Sequence, residues 1–464
     1  MVKHGIAVAH RVMGALEALH VALDQLNVRE VGEVLAPPGG ERVQDANVIP
    51  SLEEPFREMG ADQAAAAGYQ DPHAARGIRA DRSDRGSAGF RTLMRMTPRR
   101  LLLTILIGTL GLAVAAPVHA DASAGHFTSK KSIWGPVTRN GVSQFPIYHD
   151  LGVGIWQTSL SWIAVAPTRP AHPRDPADPA YHWPAELDTA VSEARKYHIR
   201  ISLLVMSTPP WANGGRPYNW VPTNISDYTD FLRAAARRYP SVKLWMIWGE
   251  PSRRPNFMPE TPERQGSTTL TAKQAAAPRY YARMLDASYG ALKAVRSSNL
   301  VIGGNTFTSG DITPYNWVKY MRLPNGKRPR LDLYGHNPFT GRRPGLGVFQ
   351  DPQVVDISDM PRFTKFLDRT LRDAHGHPLR LFFSEFFWPT DHANGEFAFH
   401  LTKKLQASWL QSALNVVRHT PRVYTLGWFS LYDDPPQPDG RSVNRGLLTF
   451  AGKRKPAYNV FRSG

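Results

Sequence analysis

Two glutamates sit where apolar, aromatic runs come to an end. Trp245-Met246-Ile247-Trp248-Gly249-Glu250-Pro251 carries the first, and Leu381-Phe382-Phe383-Ser384-Glu385-Phe386-Phe387-Trp388 carries the second. A carboxylate drawn into apolar surroundings costs on the order of several kcal/mol unless it is paired or solvated. Two such residues, one per run, are therefore expected to share a cleft. Facing carboxylates among tryptophans are the equipment of glycosidic bond cleavage: carboxyl groups for proton transfer and attack, and flat indole faces for sugar rings.

Other chemistries find no support in the residues. The chain has no cysteine, which excludes disulfides, thiolate zinc sites, iron–sulfur clusters and cysteine nucleophiles. No His-x-x-x-His pair or clustered Asp/His spacing suggests a metal. No Gly-x-Ser-x-Gly elbow is present. Gly303-Gly304-Asn305 is too short for a phosphate-binding loop. Neither a cofactor nor a metal is expected.

The elements that must position the glutamates can be read from apolar runs alternating with amphipathic stretches, a pattern that favours a parallel α/β fold. Eight strands are expected: 132–134, 153–157, 199–206, 243–248, 300–304, 331–336, 379–384 and 424–429. A helix is expected to open at Pro184, a good first-turn residue, with Glu186 and Asp188 near its start. Tyr228, Phe231, Leu232, Ala235 and Tyr239 mark a second helix, and Tyr281, Met284, Leu285, Leu292 and Val295 a third. Two more are expected around 362–374 and 401–417. The stretch 167–184 is punctuated by prolines and is expected to lie extended over the barrel rim. The fold class that follows is α/β, a single (β/α)8 TIM barrel over residues 121–464.

The first 120 residues differ in kind. All 12 tryptophans lie after them. Met96-Thr97-Pro98-Arg99-Arg100 precedes an uncharged apolar run, Leu101–Ala116, and Pro117-Val118-His119-Ala120 closes it. That order is a secretory signal over 96–120, with cleavage expected near Asp121. The run is short for a membrane span, which needs about 20 residues. Residues 1–95 then form an extension, either disordered or an over-called start, with Met94 or Met96 as the true first residue. A secreted protein is expected, by the general or the twin-arginine route, with no stable membrane anchor once the leader is removed.

The net charge is +17. Acidic and basic residues balance in 1–120, so the whole excess falls in the folded part. Such a balance favours anionic partners, an acidic polysaccharide among them. The basic residues are scattered, no aromatic–basic nucleic-acid module is visible, and no nucleic acid is expected as a partner.

In order and spacing these motifs resemble the clan A retaining glycoside hydrolases, especially the family 39-like and family 5-like barrels. The resemblance covers most of 150–464. It rests on Trp162, Tyr181-His182-Trp183-Pro184, Thr208-Pro209-Pro210-Trp211-Ala212, Trp248-Gly249-Glu250-Pro251, Gly335-His336-Asn337-Pro338-Phe339, Ser384-Glu385-Phe386, Gly427-Trp428-Phe429 and Lys455-Pro456-Ala457-Tyr458. It implies that Glu250, after the fourth strand, is the acid/base and that Glu385, after the seventh, is the nucleophile. It also implies that Trp428 is an aromatic floor beneath the reacting sugar. His336, Trp211, Trp220, Trp388, Trp248, Asn305, Asn337 and Gln157 complete the expected carbohydrate-binding set.

Three positions depart from the family pattern. Gly249 stands where an Asn is usual, Gln157 where an Arg often lies near the nucleophile, and Phe339 where a Tyr commonly reaches it. Two readings follow: a glycosidase working by double displacement, or a barrel that binds carbohydrate or cell wall without turnover.

Overall fold

The computed structural model describes residues 128–464 apart from 348–350, 352, 393–398 and 438–441. The expected leader, extension and cleavage point lie outside the described residues. Eight strands form a closed barrel: β1 (Thr128–Trp134), β2 (Val153–Ser161), β3 (Arg200–Met206), β4 (Leu244–Ile247), β5 (Leu300–Phe307), β6 (Leu333–Asn337), β7 (Arg380–Phe386) and β8 (Val423–Phe429). Each pairs in parallel with its neighbours in sequence, and β1 closes the ring against β8 and β2.

Parallel strands covered on both faces must be apolar on both. β4 shows how the alternation is used. Leu244 and Met246 join Ile155, Leu204, Ile302, Leu333 and Phe382 inside the barrel. Trp245 and Ile247 face outward into the helix layer. That layer is α1 (Phe145–Asp150), α2 (Ala185–Lys196), α3 (Ile225–Arg238), α4 (Ala276–Val295), α5 (Pro314–Tyr320), α6 (Met360–Thr370), α7 (Lys403–Arg418) and α8 (Pro456–Ser463). α3 buries Tyr228, Phe231, Leu232 and Ala235 on one stripe, as the 3.6-residue period requires. Pro184 is the cap residue before α2, one position outside the helix that it was expected to begin. The proline-punctuated stretch contains no helix.

Strand ends differ from expectation at the chemically active positions. β4 stops at Ile247 because Trp248 adopts a left-handed backbone, φ 66°. Alternation would turn Trp248 into the barrel, yet it packs in the outer layer. β7 runs on through Glu385 to Phe386, because a bulge lets Phe383 to Phe386 span the step that Leu426 to Trp428 makes on β8. Bulges re-aim side chains beside active sites.

β1 and α8 are joined from within. The Lys131 Nζ donates to the carbonyls of Phe461 (3.0 Å) and Arg462 (3.1 Å), at the negative end of α8. Burial pushes this amine down to about 8.

Candidate active site

Both glutamates lie at the C-terminal ends of their strands, the end that carries the site in barrels of this kind. Glu250 is reached through a contorted turn. Trp248 (φ 66°) and Glu250 (φ 41°) both hold left-handed backbone, a strain of order 1–3 kcal/mol per residue that concentrates at functional sites. The Trp248 Nε1 fixes the turn by donating to the Asn256 carbonyl at 2.7 Å. The Glu250 carboxylate is buried and receives three donors. Arg253 Nη1 donates to Oε2 at 2.8 Å, Asn256 Nδ2 to the same oxygen at 3.3 Å, and Asn337 Nδ2 to Oε1 at 2.8 Å. The Arg253 and Glu250 side chains are only 5% and 10% exposed, so this is a buried, charge-assisted pair.

Glu385 is held by its backbone. Its N–H donates to Asn337 Oδ1 at 3.1 Å. The carbonyl just before it, on Ser384, accepts from Trp134 Nε1 and from Gln157 Nε2, both at 2.9 Å. Among the described residues no side chain donates to the Glu385 carboxyl itself. Burial, and then the neighbouring Glu250 charge, push that carboxyl up to about 8, against the pull of Arg445 and Arg253. The two glutamates thus have opposite surroundings: one is dressed with donors, including a guanidinium, and the other is bare and reluctant to ionise. Asn337 touches both, one amide atom to each residue.

The expected binding residues divide sharply. Asn337 is brought into the centre, but its amide serves the two glutamates and is not free for a sugar hydroxyl. Gln157 corrects in the same way: it is fully buried and spans Ser132 and Ser384. His336 is also corrected. It has no exposed surface, and both ring nitrogens are engaged, Nδ1 with the Thr306 hydroxyl and Nε2 with the Val355 carbonyl, each at 2.9 Å. A carbonyl only accepts, so Nε2 carries the proton and Nδ1 accepts from Thr306. Burial lowers this imidazole to about 4 and keeps it neutral. Asn305 is buried behind the turn, donating to the Trp248 carbonyl at 2.6 Å.

Trp248, Trp388 and Trp428 are likewise core residues, at most 1% exposed, and as they stand none presents a face to a sugar. Trp388 Nε1 donates to the Thr340 carbonyl at 2.6 Å. Trp211 and Trp220 are half-buried and keep partial faces to solvent. Arg169 stacks over Trp211 at 4.5 Å and Arg216 over Trp220 at 4.4 Å.

Residues that the sequence reading missed turn out to matter: Arg253, Asn256, Trp134 and Arg445. Arg253 was discoverable in principle, since it lies three residues after Glu250, but that spacing closes a contact only in a turn or helix. Arg445 is far away in sequence and reaches Glu385 only through its field. Gly249 also has a spatial reason. A Cβ there would lie 3.1 Å from Leu204 Cδ2, closer than the inner packing allows without a shift.

The fold is shared with solved glycoside hydrolases. A family 39 glycoside hydrolase from the gut symbiont Bacteroides cellulosilyticus WH2 is similar with a TM-score of 0.54 and 16% identity, over 73% of this chain and 64% of that one. A glucosidase from Croceicoccus marinus is similar with a TM-score of 0.51 and 15% identity, over 73% of this chain and 67% of that one. This chain therefore spans about two thirds of the length of either structure, and at such identities the likeness is one of fold. No family model and no curated protein matches the chain.

Proposed function

We propose that this chain is a retaining glycoside hydrolase, with Glu250 as acid/base and Glu385 as nucleophile. The observation that carries the reading is the Asn337 amide, which holds the Glu250 carboxylate with its Nδ2 and the Glu385 backbone N–H with its Oδ1, and so brings the two residues to one mouth of the barrel. Glu250 protonates the leaving oxygen while Glu385 attacks the anomeric carbon. Glu250 then takes a proton from water, which releases the sugar from Glu385.

The first step needs a proton on Glu250 and a charge on Glu385. The resting surroundings favour the reverse, since Arg253 pairs with Glu250 and burial protects the Glu385 proton. Either arrangement holds one proton between two carboxyls, so substrate binding must relocate a proton and need not add one. Positive charge developing at the anomeric carbon beside Glu385 favours that relocation.

Turnover of aryl glycosides and oligosaccharides tests the reading. Glu385→Ala should be inactive on both. Glu250→Ala should lose far more activity on natural glycosides than on dinitrophenyl glycosides, and azide should rescue it with retained configuration. Near wild-type turnover by both variants would place the chemistry elsewhere.

A second reading draws on the same electrostatics. A barrel whose acid is ion-paired and whose nucleophile is protonated suits carbohydrate binding without turnover. Calorimetric binding of oligosaccharides with no product formed would favour it. Export rests on the leader at 96–120 and predicts a mature N-terminus near Asp121. Secreted protein still carrying residues 1–93 would overturn that.

A further inference from the structure

Glu260 lies in the loop after β4, and no step described above uses it. It is 4% exposed, and neither carboxyl oxygen has a hydrogen-bond partner among the described residues. The charges facing it are Asp311 and Glu263, which repel its ionised form, and Arg253 and Arg254, which attract it. Arg253 is the guanidinium that holds Glu250. Its Nη1 is engaged there, its plane lies over the Phe307 ring at 4.7 Å, and its Nε is buried with no partner. Facing Glu250 are Arg253, the neutral amides of Asn256 and Asn337, and the Glu385 carboxyl.

An orphan donor and an orphan acceptor thus lie within electrostatic reach of each other, away from water. Leaving such groups unmade costs about 1–3 kcal/mol each, and more when they are charged. One guanidinium compensates one carboxylate. Arg254 also attracts Glu260 but is exposed, so with Glu250 and Glu260 both ionised one buried charge would have only a solvent-screened partner. We propose that Glu260 is a positioning residue for Glu250: the two carboxyls compete for the single guanidinium of Arg253, and the one without it carries the proton. With Arg253 on Glu250, Glu260 is the neutral acid, and burial holds its carboxyl well above the usual range. With Arg253 turned to Glu260 through its free Nε, Glu250 is released to hold a proton, the state that the departing oxygen needs.

The inference deepens the assignment of Glu250 as acid/base, but the competition is an equilibrium property that stands whether or not sugar is turned over. Carbon-13 NMR of glutamate-labelled full-length protein follows each carboxyl through its titration. In the wild type, Glu260 should titrate well above the ordinary glutamate range. In Glu250→Gln the guanidinium is freed, so the Glu260 midpoint should fall by about one to three pH units. A Glu263→Gln control removes a like charge without freeing Arg253 and should move it less. Glu260 titrating in the ordinary range, or not moving in Glu250→Gln, would overturn the proposal.

A second readout uses stability. Protonated Glu260 contributes stability that is present below the ordinary glutamate range and is lost as pH rises through its raised midpoint. Glu260→Gln should abolish that slope in Tm against pH, whereas a merely structural role would give an offset that does not vary with pH. If turnover is found, Glu260→Gln should also shift the basic limb of kcat/KM to lower pH, because the competitor that draws Arg253 away from Glu250 is gone. Absent turnover with a shifted Glu260 titration defeats only the enzymatic reading. Turnover with an unshifted titration defeats only this one.

Discussion

At Glu385 two opposing effects can be weighed directly. Burial and the Glu250 charge push its carboxyl up to about 8, and Arg445 and Arg253 do not cancel them. The folded state therefore binds this proton more tightly than an unfolded chain does. Its stabilising contribution is complete below the ordinary glutamate range and is lost as pH rises through about 8. Glu385→Gln should match the wild type in Tm near pH 4 and exceed it near pH 8, by calorimetry across pH. Asn337 offers a different test, because a single amide orients both glutamates. Asn337→Ala should lower kcat/KM by about 10- to 100-fold with little change in KM, the loss of one or two buried hydrogen bonds. Both glutamates were legible in the sequence because apolar strand ends rarely carry a carboxylate without a reason. The binding residues were less legible. Trp388 and His336 have the composition of a sugar site, but a ring nitrogen of each serves a buried backbone carbonyl, and Trp428 is simply packed into the core; only packing distinguishes such uses from sugar binding.

The elements were legible for a simpler reason. A parallel strand buried on both faces must be written in apolar residues, and each of the eight expected runs became a strand of the barrel. What spacing could not give was the irregularity at the ends. The left-handed turn at Trp248 and the bulge at Ser384–Glu385 both break the two-residue period, and they do so where the carboxylates must be aimed. The bulge leaves no room across the strand pair. A Cβ on Gly427 would overlap the Ser384 carbonyl and the Gln157 amide that fixes it. Gly427→Ala should destabilise the barrel by ~3 kcal/mol in chemical denaturation. It should also displace Glu385 and abolish turnover.

Over the whole molecule the clearest quantity is charge. The chain carries +17 with a pI near 10, and the excess lies wholly in residues 121–464. Rim arginines such as Arg216, stacked on Trp220, add local positive charge beside a partly exposed ring. A field of this sign raises the encounter rate with acidic glycans and is screened by salt, with a Debye length of about 8 Å at physiological ionic strength. If the substrate is an acidic glycan, kcat/KM should fall several-fold from low to physiological salt, while a neutral aryl glycoside should show no such dependence. Steady-state kinetics on both, in one salt series, would check this. Lys131 ties α8 to β1, and Lys131→Met should loosen α8 first, seen as faster amide hydrogen exchange over Pro456–Ser463 with the barrel strands unchanged.

Gly249 carries a consequence for descent. A Cβ at 249 would meet a leucine methyl of the inner barrel, Leu204 Cδ2, at 3.1 Å, a contact that fits only if that methyl gives by a few tenths of an ångström. If an ancestor carried the asparagine usual in the barrels this chain resembles, the loss of that asparagine and the filling by Leu204 became locked together. Gly249→Asn alone would have to push that methyl aside and should lower stability. Leu204→Ala made first should open the way at the expense of a cavity. Such order dependence would act as a ratchet: with Leu204 in place, an asparagine at 249 lies two substitutions away, with a less stable protein between.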